Sequence, residues 1–230
     1  VNNSAQASYA HGGVHTYTSR QYGFLTNNIT VAVAVGSTAN ERVITITDLD
    51  DFGALVSEVS PSLGGSGKFT MQYTGAATSA LLTITASSLA VVTAAPSVPA
   101  DDLTLNFSDF PSLTDIVTYI NNHPSYTATS LVTNASAFLP ANLDAVSAVS
   151  VLALTTLYAR NFDLADWVNS NSQIISDTLT QGQTGPVAVL TTTPLAGGTR
   201  GTSTNTVWTD GFTALRGTRI NQIVPLASKN

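Results

Sequence analysis

The chain contains no cysteine, so it has neither a disulfide framework nor a thiolate zinc site. Charge is nearly as scarce: 10% of the 230 residues are Asp, Glu, Lys or Arg, against 43% hydrophobic residues. Ser, Thr, Asn and Gln occupy most of the surface positions that charge normally fills. That balance excludes intrinsic disorder, which couples high charge to low hydrophobicity. Long apolar runs are also missing. Val31–Val35 and Ser87–Val98 are too short, or too interrupted by Thr and Pro, to approach the roughly 18 residues that span a bilayer as a helix. A net charge of −6 argues against a nucleic-acid surface over most of the chain. Arg200, Arg216, Arg219 and Lys229 make the last segment basic, with Asp210 as its only acid. A solvated face explains this more simply than a dock for an acidic neighbour. The chain starts at Val1 and shows no signal peptide, which suggests a trimmed or proteolysed piece of a larger protein.

The residues present indicate a mixed α+β fold: a β-rich domain followed by an α/β helix–strand domain. Residues 1–27 read as an extended lead-in. A β-rich outer domain is expected over 28–99. Asn28–Val35 and Arg42–Thr47 alternate apolar and polar residues, the pattern of two half-buried strands in a hairpin. Asp48, Asp50 and Asp51 offer N-caps to a short helix over Phe52–Val59, stopped by Pro61 and the Gly64-Gly65-Ser66-Gly67 turn. Lys68–Thr74, Ala80–Thr85 and Leu89–Thr93 read as further strands.

Over 100–194 an α+β domain with a repeated helix–strand unit is expected. Leu103–Phe107 is a strand. Ser108 or Asp109 caps a helix over 112–122 with Pro111 in its first turn and Leu113, Ile116, Val117 and Ile120 on one face. Tyr126–Val132 returns as a strand. Asp115-Ile116-Val117-Thr118-Tyr119-Ile120-Asn121 then lines up without a gap with Asp163-Leu164-Ala165-Asp166-Trp167-Val168-Asn169. Five residues after each Asn stands an apolar strand opener, Tyr126 or Ile174. In this reading each Asn tolerates a left-handed C-cap before the chain reverses. Residues 141–158 fit strand and helix equally well. Ile174–Thr180 and Val187–Thr191 complete the strands.

Reactive constellations are few, and no catalytic, cofactor-binding or metal-binding residue is assigned. His11 and His15 are four apart, but Gly12-Gly13 between them opposes a helix and no metalloprotease Glu follows His11. Both read as surface or lead-in histidines, and His123 as a polar cap at a helix end. No serine lies in a Gly-x-Ser-x-Gly elbow. The Asp48, Asp50, Asp51 cluster lacks the glycine and closing Glu of a calcium loop. Gly64–Lys68 lacks the spacing and following helix of a P-loop. Gly197-Gly198-Thr199-Arg200-Gly201 reads as a structural turn, with Ser203 or Thr204 capping a helix that carries Val207, Trp208, Phe212 and Leu215.

The order of elements in the second half resembles the sheath proteins of contractile phage tails. The matching residues are the helix Asp163–Asn171, the turn Leu195-Ala196-Gly197-Gly198-Thr199-Arg200-Gly201, the helix Trp208–Leu215 and the strand Ile220–Leu226. Leu113–Ala128 is similar to the preceding part of such proteins, so the resemblance covers roughly 100–230. It implies that 195–230 begins a truncated sheath core domain. It also implies a structural, non-enzymatic subunit without cofactors, found in the virion after assembly in the host cytoplasm. The full-length protein's partners would be neighbouring sheath subunits and the tail tube, with no nucleic acid and no membrane insertion. This piece alone would be monomeric. The alternative is a carbohydrate- or host-receptor-binding β-rich module of an adhesin or spike, using Tyr9, Tyr17, Tyr22 and Tyr73.

Overall fold

The computed structural model describes residues 4–49 and 53–201. The strands are β1 (Ser8–His11), β2 (His15–Ser19), β3 (Thr30–Val35), β4 (Arg42–Leu49), β5 (Leu55–Val59), β6 (Phe69–Tyr73), β7 (Ser79–Ile84), β8 (Ser88–Ala94), β9 (Leu103–Asn106), β10 (Tyr126–Ser130), β11 (Val146–Ser150), β12 (Thr155–Leu157), β13 (Ile175–Leu179) and β14 (Leu190–Pro194). The helices are α1 (Leu113–Asn122) and α2 (Arg160–Asn171). Four antiparallel sheets result, with strand orders β1-β2-β13, β10-β6-β12, β11-β7-β8-β9 and β14-β3-β4-β5. The chain is therefore α+β and rich in β structure.

Alternation determines the hairpins. In β3 and β4, Val31 and Val33 pair with Ile46 and Ile44, and all four side chains are buried while their Thr and Ala neighbours are not. The helix expected over Phe52–Val59 is instead β5, in which Leu55 pairs with Leu49 and Val59 with Thr45. Asp48 does not cap a helix; its carboxylate accepts the N–H of Leu49 within β4. With Leu, Val, Ser and Val around a single Glu, the segment fits a pleated edge as well as a helical turn.

Helix α1 starts one residue later than expected. Ser112, and not Ser108 or Asp109, is its N-cap, closing a capping box with Asp115. Leu113, Ile116 and Ile120 are its buried face. Its C-cap, His123, is extended, as is Ser172 after α2, so Asn121 and Asn169 are not left-handed caps. Each holds the strand that follows. The Asn121 side chain donates to Ala128 O (2.9 Å) and accepts from Ala128 N (2.7 Å). Asn169 does the same to Asp177 at 2.8 Å in both directions.

The two helix–strand units belong to a larger pattern. A central strand, β2, is followed by the meander β3-β4-β5, then α2, then β13 antiparallel to β2, then β14 antiparallel to β3. A second central strand, β6, is followed by the meander β7-β8-β9, then α1, then β10 antiparallel to β6, then β11 antiparallel to β7. Both closing strands, β14 and β11, shift register part-way along. The clamped residues also correspond: Asp177 faces Tyr17 and Ala128 faces Met71, each at the middle of its strand. A further strand flanks each central one, β1 beside β2 and β12 beside β6. The second pattern is nested inside the first, between β5 and α2.

Two buried clusters follow this division. One gathers Phe69, Met71, Leu82, Leu89, Ile116, Ile120 and their neighbours between 69 and 159; the other gathers Tyr17, Val31, Ile44, Ile46, Leu164, Val168, Ile175 and Leu195. The stretch 100–194 contributes to both clusters. Helix α2 lies at their junction, with Phe162 packed on the first cluster and Leu164 and Val168 inside the second. Beside it Lys68 Nζ contacts Asp163 Oδ1 at 2.6 Å and Arg160 contacts Asp144 at 3.2 Å. Gly64, with φ +89, sits so close to Arg160 that an added Cβ would lie 3.0 Å from the Arg160 Cβ.

Candidate functional site

The titratable cluster with the least solvent lies where the sequence suggested an extended lead-in. Gly12 and Gly13 have φ of +60 and +69, and Val14 N donates to His11 O across them at 3.0 Å. This turn, open to glycine and costly for other residues, folds β1 back on β2 so that His11 pairs with His15 and Tyr9 with Tyr17. His11 and His15 are 4% and 1% exposed, not at the surface as expected. The inner face of β2 is His15, Tyr17 and Ser19, all buried. Polar residue types on that face hide the alternation from a hydrophobicity reading.

His15 Nδ1 lies 2.6 Å from Asp177 Oδ2, with both side chains fully enclosed. The His15 and Tyr17 rings stack at 5.8 Å. The Tyr17 hydroxyl is 3.3 Å from His11 Nδ1, to which it donates when that nitrogen carries no proton. The His11 and His15 rings are 6.4 Å apart. Burial holds His11 below its ordinary value, reinforced by the neighbouring His15 and opposed by the Ala188 backbone and Asp177. Burial likewise pushes the Tyr17 phenol up. The nested pattern supplies an internal comparison. By strand register, Leu157, Phe69, Met71 and Ala128 occupy the places of His11, His15, Tyr17 and Asp177. All four of those residues are buried and apolar. The fold therefore does not require polar groups at these places.

A second buried network lies in the other unit. The Tyr73 hydroxyl donates to Asp101 Oδ2 at 2.6 Å and accepts from Ala77 N, Ser125 Oγ donates to Asp101 Oδ1, and the Tyr126 hydroxyl donates to the Asp101 carbonyl. The Tyr73 and Ser125 hydroxyls hold the Asp101 carboxyl below its usual range. His123 caps α1, with Nε2 2.9 Å from Ala100 O. These contacts tie the 99–102 turn to the α1–β10 connection.

Three surface features remain. A cleft of about 500 Å³ between α2 and the Ser62–Ser66 loop is lined by Glu41, Lys68, Asp163, Asp166, Trp167 and Asn171. A second, of about 400 Å³, is lined by Tyr22, Phe24, Leu25, Leu49, Asp48 and Arg200. Here Tyr22, Phe24 and Leu25 are all more than half exposed. Leu55, Val56 and Val59 of β5, the outer strand of its sheet among the described residues, are exposed as well, with Leu55 paired to Leu49.

The four tyrosines of the carbohydrate alternative do not converge. Tyr17 and Tyr73 are buried in different clusters, and Tyr22 is exposed. Gly64–Lys68 lies in a loop with bends, whereas the turn expected at Gly197-Gly198 is instead a stretch whose flanks, Ala196 and Thr199, bridge to Ser8 and Ala5; Asn27 clamps Gly198 N and O at 2.8 and 3.0 Å. The helix around Trp208–Leu215, the strand Ile220–Leu226, and Asp50 and Asp51 lie outside the described residues. Among the described residues no three His, Asp or Glu side chains are grouped to hold a metal ion, and no helix is long and apolar enough to cross a membrane. No protein-family model matches the chain, and no curated protein matches it.

Proposed function

We propose that the chain is a structural, non-enzymatic part of a contractile tail sheath subunit, surrounding a tail tube within a virion. The observation that carries this reading is the set of exposed apolar side chains Tyr22, Phe24, Leu25 and Leu49, with the exposed Leu55 of β5 paired to Leu49. Exposed apolar area of this kind is characteristic of a protein covered by neighbours. Supporting it, the pairs His15–Asp177, Lys68–Asp163 and Arg160–Asp144 and the Tyr73–Asp101 bond each fasten one segment to another. Such a scaffold transmits force by staying rigid while interfaces between subunits rearrange. The finer organisation belongs to the same proposal, with the two nested units taking the place of a boundary at residue 99: together they would form the outer, β-rich part, and 195 the start of a core domain. Its partners would be neighbouring copies and the tube, without nucleic acid, membrane insertion or cofactor; the isolated chain would be a monomer.

Immunogold electron microscopy with antibodies raised against this chain tests the reading. Labelling along the whole length of contractile tails is expected. Labelling confined to fibre tips or spikes, or a stable ring or tube formed by the 230 residues alone, overturns it.

The cleft beside α2 favours a second reading, a carbohydrate-binding module, because Trp167 there accompanies Glu41, Lys68, Asp163, Asp166 and Asn171. Binding on a glycan array that Trp167→Ala abolishes would select this alternative.

A further inference from the structure

We propose that the β1–β2 hairpin is an acid-released latch: protonation inside the His11–His15–Tyr17–Asp177 cluster opens the hairpin from its turn end and releases Ala196 from Ser8. The inference is independent of the sheath reading.

The first ground is the internal comparison. The second unit fills the same four places with Leu157, Phe69, Met71 and Ala128, so an apolar solution exists for this architecture. Replacing it by two histidines, a phenol and a carboxylate makes the stability of one hairpin depend on protons.

The second ground is charge. Facing His11 are Tyr9 on its own strand, His15 and Tyr17 on β2, Asp177 on β13 and the backbone of Ala188. Arg42 on β4 reaches the same 186–190 segment, donating to Val187 O at 2.6 Å. Asp177 is the only carboxylate among these groups, and it is already taken by His15 at 2.6 Å. A proton on His11 therefore adds a buried cation 6.4 Å from the His15 ring with no acid of its own. It also turns Nδ1 into a donor, so the Tyr17 hydroxyl loses its acceptor there.

The third ground is mechanical. β1 is a four-residue edge strand. Its far end is fixed by Ser19, whose hydroxyl accepts from Ala7 N and whose N–H donates to Ala7 O. Opening therefore starts at Gly12-Gly13, beside His11, and runs toward Ser8. Ser8 exchanges backbone hydrogen bonds with Ala196 at 2.8 and 3.1 Å, and Ala5 does so with Thr199 at 3.2 Å. Losing β1 releases Ala196 from Ser8, while Asn27 keeps its hold on Gly198 and Ile29 on Leu195.

The sign follows from linkage. His11 is held below 6.5 in the folded hairpin and returns to its ordinary value when the hairpin opens, so the open form binds more protons. The hairpin is thus most stable above pH 6.5 and weakens as pH falls toward the folded value. One proton shifts the opening equilibrium by up to about tenfold per pH unit in that window.

Hydrogen exchange with intrinsic rates corrected provides the test. Between pH 7.5 and 5.5, protection of the β1 and β2 amides and of the Ala196 amide is expected to fall about tenfold, while β6 and β10 amides hold theirs. His11→Leu, the residue found at the matching place in β12, should remove the dependence. Three results overturn the proposal: no change in the native chain, an equal loss in β6 and β10, or an unaltered pH dependence in His11→Leu. Should that variant fail to fold, the native His11 ring is titrated by NMR. A midpoint below 6.5 that tracks the exchange supports the latch; a midpoint at or above 6.5 refutes it.

Discussion

Removing the side-chain amides that clamp backbone gives the sharpest test of how this fold is held. Asn121, Asn161 and Asn169 each accept one backbone N–H and donate to one backbone carbonyl. Asn121 and Asn169 are exposed residues on the outer ends of their helices. Alanine there trades two hydrogen bonds for bonds to water, a loss of about 2 kcal/mol at a net ~1 kcal/mol per bond. Asn161 is 4% exposed, and its bond to Val187 N is buried. Alanine at 161 leaves that donor without solvent, so the loss should rise to about 3 kcal/mol. In a chain of this length that lowers Tm by roughly 6–12 °C. Aspartate is the control, because it keeps the acceptor but turns a carboxylate oxygen toward the carbonyl that the amide served. Each Asn→Asp should therefore be worse than its Asn→Ala at pH 7. Urea titration followed by calorimetry reads both series. The reasoning fails if Asn161→Ala costs no more than Asn121→Ala, if 121 and 169 differ by more than about 1 kcal/mol, or if aspartate is the milder substitution.

Burial raises Asp144 to about 6 against the opposing Arg160, so the folded form binds the extra proton between 3.8 and 6 and stability falls as pH rises through that window. Asp144→Asn should flatten this slope, which is of order 2 kcal/mol in total, in urea titrations at pH 4 and pH 6.5. Gly13 has φ +69 and no atom within 4 Å of an added Cβ; Gly13→Ala should cost about 1 kcal/mol from backbone strain alone, with Gly13→Asn milder, as read by thermal denaturation. Val59→Lys on the exposed β5 should change stability by less than about 0.5 kcal/mol; the sheath proposal further requires that this variant lose to the native protein in competition for entry into tails.

The parts legible in the sequence were those whose local pattern and tertiary role agree. Val31, Val33, Ile44 and Ile46 announce their hairpin because one face is apolar and buried. The α1 stripe of Leu113, Ile116 and Ile120 is equally plain. The match of Asp115–Asn121 to Asp163–Asn169 pointed to a real structural correspondence, although Asn serves as a strand clamp, and the second strand opens at Ile175, one residue later than expected. Residues 141–158 fitted both periods for a physical reason. They form β11 and β12, and a register shift in β11, with Ala148 at φ +52, puts Val146 and Val149 three apart against Ile84 and Leu82. A bulged strand borrows helical spacing. The histidine cluster was hidden for the opposite reason. Its strand alternates cleanly, but in burial and not in hydrophobicity, and the partner carboxylate of His15 lies 162 residues away.

Nesting one unit inside the other has a mechanical consequence that a tandem arrangement would lack. Two chain segments, not one, cross between the clusters: the run from Ser60 to Lys68 and the run from Leu157 into α2. They cross side by side. Lys68 N donates to Leu157 O at 2.7 Å, Lys68 Nζ reaches Asp163, and Gly64 lies against Arg160. A single linker permits rotation about its own axis, whereas two bonded crossings allow bending only if one of them stretches or lets go. Burial raises Asp163 despite Lys68, so removing the lysine would leave a carboxylate poorly solvated at the crossing. Breaking such a partly buried pair from one side should therefore loosen the junction more than the surface value of under about 1 kcal/mol implies. Rigidity between the two units thus comes from topology first and the ion pair second.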